Sequence, residues 1–234
     1  FFAKLRKDKE IPKTSGPPPA RFKELYESLS TDGLPILVIT VGHFFSSTFK
    51  AANLAKEMTP DAPVTVFSSD SNSMGEGFLV LAAARAAREG KDLHEVLTIL
   101  NSLKATTGLV FAAPNVEYLR RGGRINQIQY FFATTLHVIP ILEVRNGPIT
   151  PIERVRQHRN VIPHLLDLAS ERIGDERPLR MAVVHVDAES QAWELAKQVR
   201  QRFSPDELIT SELTPVLGIH AGPDALGIAY TTGY

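Results

Sequence analysis

The groups best suited to chemistry in this sequence are two hydroxyl-rich turns, a pair of glycines among arginines and one histidine framed by glycines. Thr40-Val-Gly-His-Phe-Phe-Ser-Ser-Thr-Phe49 carries an apolar run into a turn rich in hydroxyls and then into a helical pattern. In an open α/β sheet, ligands bind beyond the carboxyl ends of the strands, and a helix N-terminus there offers unpaired N–H groups and a positive dipole end to an anion. Ser46, Ser47 and Thr48 fall at that point. The plainer alternative is that one hydroxyl only caps the helix, contributing about 1 kcal/mol. A nucleophilic serine is a third reading, weakened because Ser46 is flanked by Phe45 and Ser47 rather than set in Gly-x-Ser-x-Gly. Ser68-Ser-Asp-Ser-Asn-Ser-Met-Gly-Glu-Gly77 occupies the same position after the next apolar run. It matches neither the Walker phosphate loop nor the dinucleotide fingerprint, so a capped turn competes there with a ligand contact.

Tyr118-Leu-Arg-Arg-Gly-Gly-Arg-Ile125 sets three arginines around Gly122 and Gly123. Arginines in a last helical turn followed by a glycine at C′ end a helix in the ordinary way, with Gly122 as that glycine. The functional alternative has Gly123 and Arg124 in a turn that approaches a ligand or partner. Pro215-Val-Leu-Gly-Ile-His-Ala-Gly-Pro-Asp-Ala-Leu-Gly-Ile228 frames His220 with glycines and a proline. This predicts a rigid, exposed turn from which an imidazole donates a hydrogen bond to an anion; a purely structural histidine is the alternative. The remaining histidines show no paired ligand spacing and no His-Glu-x-x-His, so no zinc site is expected.

Positioning these groups requires an alternating framework. Lys9 to Arg21 holds four prolines and a glycine and reads as a stiff exposed loop, with a helix from Arg21 to Leu29. Pro35 to Val41 is a short apolar β-branched run, and Phe49, Ala52, Ala55 and Met58 recur at helical spacing. Val64 to Phe67 is the next strand and Leu79 to Arg88 the next helix, an order that predicts a parallel sheet. Asp92-Leu-His-Glu95 has the form of a capping box before the apolar stripe Leu93, Val96, Leu97, Leu100 and Leu103. Beyond Gly108 the pattern changes: Ile139 to Val144 and Ile149 to Ile152 flank Asn146-Gly147, a hairpin signal, and helix and strand then alternate to Leu213. Pro163 fits only the first turn of its helix.

The chain has 234 residues, enough for two cores. Lys plus Arg and Asp plus Glu both number 26, so no net field draws the protein to nucleic acid or an anionic membrane. With no cysteine there is neither a disulfide framework nor a thiolate nucleophile, which fits a cytoplasmic location. No apolar run approaches the roughly 18 residues of a membrane span, so stable membrane insertion is not expected. Phe1 reads as the middle of an amphipathic helix and lacks a signal-peptide pattern.

Taken in order, Pro12-Lys-Thr-Ser15, Phe45-Ser-Ser-Thr48, Ser68 to Gly77, Glu117-Tyr-Leu-Arg-Arg-Gly-Gly-Arg-Ile125, Pro140-Ile-Leu and Val216 to Ile228 resemble the DegV family of fatty-acid-binding proteins across nearly the whole chain. The resemblance implies a non-enzymatic carrier with no cofactor. It would hold a long-chain fatty acid between two α/β domains, 1–106 with a mainly parallel sheet and 107–234 with a mixed one. By the same resemblance Thr14, Ser46 and His220 hold the carboxylate. Ser15, Ser47, Gly123 and Arg124 make secondary contacts, and Arg121 and Arg156 face a fatty acid kinase catalytic subunit that makes acyl phosphate. Phe44, Phe45, Met74, Ile128, Phe131 and Phe132 are candidates for the tunnel wall or for simple core. Two departures stand out. The family's opening strand and helix, with an Asp-Ser-Thr-rich loop, are expected to be lacking from the first domain. The usual Ser-Gly-Thr is Ser46-Ser-Thr48 after the bulkier Gly42-His-Phe-Phe, which would shorten the pocket or change its ligand. The rival expectation is a serine-histidine hydrolase, or a phosphate-dependent enzyme, using Ser46 and His220.

Overall fold

The apolar runs pair into two separate sheets. The computed structural model of the protein describes residues 1–7, 12–123 and 138–234. After a short helix α1 (Phe2–Leu5), α2 (Pro19–Leu29) begins two residues earlier than the sequence pattern predicts, because the fixed φ of Pro19 suits a first helical turn. Strand β1 (Ile36–Thr40), helix α3 (Thr48–Glu57) and strand β2 (Val64–Ser68) follow, and β1 and β2 pair in parallel with Thr40 opposite Ser68. Because side chains alternate across a strand, the pair is apolar on both faces. Ile36, Val38 and Val66 pack under α2 and α3 with Tyr26 and Ala55. Leu37, Ile39 and Phe67 meet α4 (Ser73–Arg88) and α5 (Leu93–Thr106) through Leu79, Ala82, Ala86 and Leu100. The capping box of α5 forms: Glu95 N–H donates to Asp92 Oδ1 (2.9 Å) and Asp92 N–H to Glu95 Oε2 (2.8 Å).

The second sheet is built from β3 (Gly108–Ala112), β4 (Ile139–Val144), β5 (Ile149–Val155), β6 (Leu179–His185), β7 (Glu207–Glu212) and β8 (Leu226–Thr232), in the order β5-β4-β3-β8-β6-β7. Only β6 and β7 pair in parallel, through the crossover helix α8 (Glu189–Phe203); the other pairs are antiparallel. The expected hairpin joins β4 to β5, with Asn146 in the left-handed region at φ 54°. Helix α6 (Val116–Arg121) follows β3, α7 (Val161–Ile173) follows β5 with Pro163 in its first turn, and α9 (Pro215–Ala221) precedes β8. Leu165, Leu195, Met181 and Ile228 fill the core beneath α7 and α8 on one face. On the other face Phe78 of α4 packs against Leu109, Ala182 and Val184. Helix α4 therefore lies between the two sheets, and its alanines keep the small sheet close.

Two local expectations are corrected, and one strand was not expected. His220 sits in the last turn of a helix, not in an exposed turn, because Pro215 at N1 starts α9 after Thr214. Gly122 keeps right-handed geometry at φ −70°, and Gly123 is the glycine that takes the left-handed φ of +70°. Strand β8, central in the sheet, lies beyond Leu213, where the sequence pattern ended the alternation of helix and strand. Among the described residues no helix is long and apolar enough to cross a membrane.

Candidate functional site

A cavity of about 540 Å³ opens where the two sheets face each other. Its size lies in the usual range of roughly 300 to 1,000 Å³ for small-molecule sites. The wall is apolar for most of its extent: Val38, Ile39, Val41 and Phe45 come from the small sheet and its first loop, Leu109, Phe111, Ile149, Val184 and Leu226 from the large sheet, and Leu119, Val216 and Leu217 from α6 and α9. The polar lining is confined to Thr14, Ser15, Thr40, Ser46, Thr48, Asn72, Ser73, Glu76 and His220.

The first polar group joins three distant stretches of chain. Thr14 Oγ1 lies 2.9 Å from His220 Nε2, across 206 positions of sequence. The proline-rich loop brings Thr14 there by lying on the start of α3, where a Cβ at Gly16 would come within 2.8 Å of Ser47 Oγ. Ser46 Oγ is 2.7 Å from Thr48 Oγ1 and accepts from Thr48 N–H at 3.2 Å. Ser47, the N-cap of α3, makes no side-chain cap bond. Hydroxyls, an imidazole and a helix start therefore line one largely apolar cavity, an arrangement able to hold a carboxylate or another small anion.

The Arg-Gly-Gly and His-Ala-Gly-Pro motifs are two sides of one contact. A Cβ at Gly122 would fall 2.2 Å from His220 Nδ1, so glycine there lets α6 close against the imidazole. Tyr118 of the same helix donates its hydroxyl to Leu5 O at 3.2 Å, and Arg6 bridges Asp187 and Asp224, which ties α1 to the loops beside α9.

The remaining candidates divide. Ser15 and Phe45 line the cavity; Ser47, Gly123 and Phe44 line an adjacent one together with Ser46. Met74 packs against the core between α4 and the large sheet. Arg121 is exposed and joins Arg120 on Glu117, whose carboxyl these bonds hold near 2 against the opposing effect of desolvation. Arg156 is exposed on the bend after β5, and neither Arg121 nor Arg156 is part of the described cavity lining. Arg124, Ile128, Phe131 and Phe132 lie outside the described residues. The hydroxyl of Ser46 is turned to Thr48, while Thr14 occupies His220 Nε2, so the serine-to-base bond of a hydrolase is not formed. Asp70, in the loop after β2, accepts from Lys104 (2.8 Å) and Ser68 (2.7 Å). Burial alone would raise its carboxyl, but those bonds outweigh burial and hold it below the usual range. Among the described residues no three His, Asp or Glu side chains are grouped to hold a metal.

Glu76 was not singled out by the sequence reading. It lines the cavity from the first turn of α4, and burial pushes its carboxyl up to about 7. The available signal is a lone acid in a helix whose neighbours are Met74, Gly75, Gly77, Phe78 and Leu79.

The model of the DegV family, described as an uncharacterised protein family, matches residues 1–233. The chain belongs to the DegV family. A DegV domain-containing protein of Clostridium perfringens is 30% identical over 234 residues, covering 98% of this chain and 82% of that protein. Among solved DegV structures, a fatty-acid-binding family protein from Thermus thermophilus superposes with TM-score 0.93 at 27% identity, covering 99% of this chain and 83% of its own. DegV from Bacillus subtilis, a fatty acid binding protein, superposes with TM-score 0.90 at 29% identity, covering 100% and 83%.

Proposed function

We propose that this chain binds a long-chain fatty acid in the cavity between its sheets and presents the carboxylate to a partner kinase for acyl phosphate formation in the cytoplasm. The observation that carries the reading is the cavity itself: apolar over most of its wall, with Thr14, Ser46 and His220 among its few polar lining groups. The fatty-acid-binding names of DegV relatives support the same ligand. Residues 1–106 and 107–234 are taken as the two domains that clasp it, with Thr14 and Ser46 from the first and His220 from the second. Each buried CH₂ contributes about 0.8 kcal/mol, so a dozen outweigh a few charged hydrogen bonds at roughly 1.5 to 3 kcal/mol each. The tail supplies affinity and the polar end supplies orientation. Ser15 and Ser47 assist at that end, and Arg121 and Arg156 face the partner.

Mass spectrometry of the purified protein, native and then after organic extraction, tests the ligand. One acyl chain per protein is expected; an empty protein that also refuses added oleic acid overturns the reading. In a reconstituted kinase assay, Ser46→Ala and His220→Ala are expected to lower acyl phosphate formation more than oleic acid binding. Equal losses in both would remove the orienting role. Hydrolysis of esterase substrates that Ser46→Ala abolishes would favour the hydrolase instead.

A further inference from the structure

The cavity holds a second set of polar groups for which an unsubstituted acyl chain has no use. The Glu76 carboxyl has no hydrogen bond or ion pair with any described residue, though it lines the cavity and is partly buried. Ser73 lies three residues earlier on the same face of α4, and its Oγ is buried without a partner. Thr40 lines the same cavity from the end of β1; it is 3% exposed and its Oγ1 is also unpartnered. These groups reach the cavity from a different helix than the Ser46 turn. Ser46 belongs to the turn into α3, which covers one face of the small sheet, whereas Ser73 and Glu76 belong to α4, which covers the other.

A buried polar group left without a partner costs about 1 to 3 kcal/mol, so a plain hydrocarbon tail laid against Glu76 and Ser73 leaves a penalty that the right substituent removes. The chemistry of the pair selects that substituent. With its carboxyl near 7, Glu76 is present in both protonation states at neutral pH. An alcohol suits either state, donating to the carboxylate or accepting from the acid, while it accepts from or donates to Ser73 as well. A second carboxylate on the chain would be repelled by ionised Glu76, so a dicarboxylic acid does not fit.

We propose that Glu76 and Ser73 form a second polar subsite that binds a hydroxyl group carried on the acyl chain, making hydroxy fatty acids preferred ligands. This rests on the fatty-acid reading above. The test is calorimetric binding of ricinoleic acid, whose chain bears such a hydroxyl, against oleic acid, which lacks it. The full chain is compared with its Glu76→Leu, Glu76→Gln and Ser73→Ala variants, with circular dichroism as the check on folding. The wild-type protein is expected to bind ricinoleic acid about five-fold or more tighter than oleic acid. Glu76→Leu is expected to bind oleic acid at least as well as wild type and to lose the preference. Glu76→Gln, which still donates and accepts, keeps most of it, and Ser73→Ala reduces it. A ratio of the two acids near one in the wild type, or the same ratio in wild type, Glu76→Leu and Ser73→Ala while oleic acid still binds, overturns the subsite alone. Failure of the wild type to bind either acid overturns the carrier reading and the subsite with it.

Discussion

The two sheets are buried to very different depths. Every residue of β4 and β8 is buried, and so is every residue of β6 except Arg180. In β1 only Thr40 is buried, and around it Leu25, Leu29 and Leu54 remain exposed. The large sheet is closed by α7 and α8 on one face and α4 on the other, so it acts as the rigid frame. The small sheet is covered more thinly, yet the turns at its carboxyl edge deliver Ser46, Ser73 and Glu76. What the large sheet lends to the site is apolar wall and, through α9, a single histidine. Stability is thus concentrated on one side of the cavity and polar chemistry on the other. This follows from what each needs, since a closed core cannot spare groups for a ligand.

The sharpest way to break that contrast is to truncate equivalent apolar residues in each part. Leu165→Ala, under the large sheet and fully buried, is expected to cost about 2 to 5 kcal/mol, the range for deleting a buried leucine side chain. Val38→Ala in the half-buried β1 should cost about 1 kcal/mol, reflecting fewer methylenes and less depth. Urea unfolding followed by circular dichroism gives both values. Equal costs would mean that the small sheet is as firmly packed as the large one and that the division of labour is wrong.

The next effect down comes from the site itself. Burial raises the Glu76 carboxyl from its ordinary 4.5 to about 7. The folded chain therefore holds this proton more tightly than the unfolded one, and between those values stability falls as pH rises, with the full penalty present above the folded value. Glu76→Gln removes the titration. It should stabilise the protein by about 1 to 3 kcal/mol near pH 8 and by almost nothing near pH 4. Described residues lining the cavity include one other titratable side chain, His220, while the nearby Lys104 is engaged by Asp70 and Arg85 by Glu207. Melting temperatures of both proteins at the two pH values check the sign; a variant less stable than wild type at the higher pH would show that the ionised carboxyl has a stabilising partner.

Much of the frame could be read in the residues. The strand at Ile36, the capping box at Asp92 and the hairpin at Asn146 are local signals, each written in a few adjacent side chains, and each forms as expected. The resemblance to the DegV family located Ser46 and His220, which the structure brings to one cavity. Other features are contacts between distant segments and leave no local trace. Leu226-Gly-Ile-Ala-Tyr-Thr-Thr232 becomes a fully buried central strand only because β3 and β6 flank it, and its glycine and alanine disguise it. The closeness of Gly122 to the His220 ring depends on how α6 meets α9. Glu76 escaped notice because a glutamate in a first helical turn is the most ordinary placement available to it; only the cavity beside it makes the placement unusual.

The smallest effect separates hydroxyls that build helices from hydroxyls left for a ligand. Asp92 closes a complete capping box on α5, so Asp92→Ala should cost about 1 kcal/mol. Ser47 holds the same N-cap position on α3 but makes no side-chain cap bond, and its Oγ points toward Gly16 and the neighbouring cavity. Ser47→Ala is therefore expected to change stability by no more than about 0.5 kcal/mol, the range of surface substitutions that remove no special feature. The pair of thermal melts is informative because local sequence presents the two positions alike, as a capping residue before an apolar helix. A cost for Ser47→Ala equal to that for Asp92→Ala would mean that the hydroxyl swings in to cap α3 in solution, and the polar end of the cavity would then rest on Thr14, Ser46 and His220 without it.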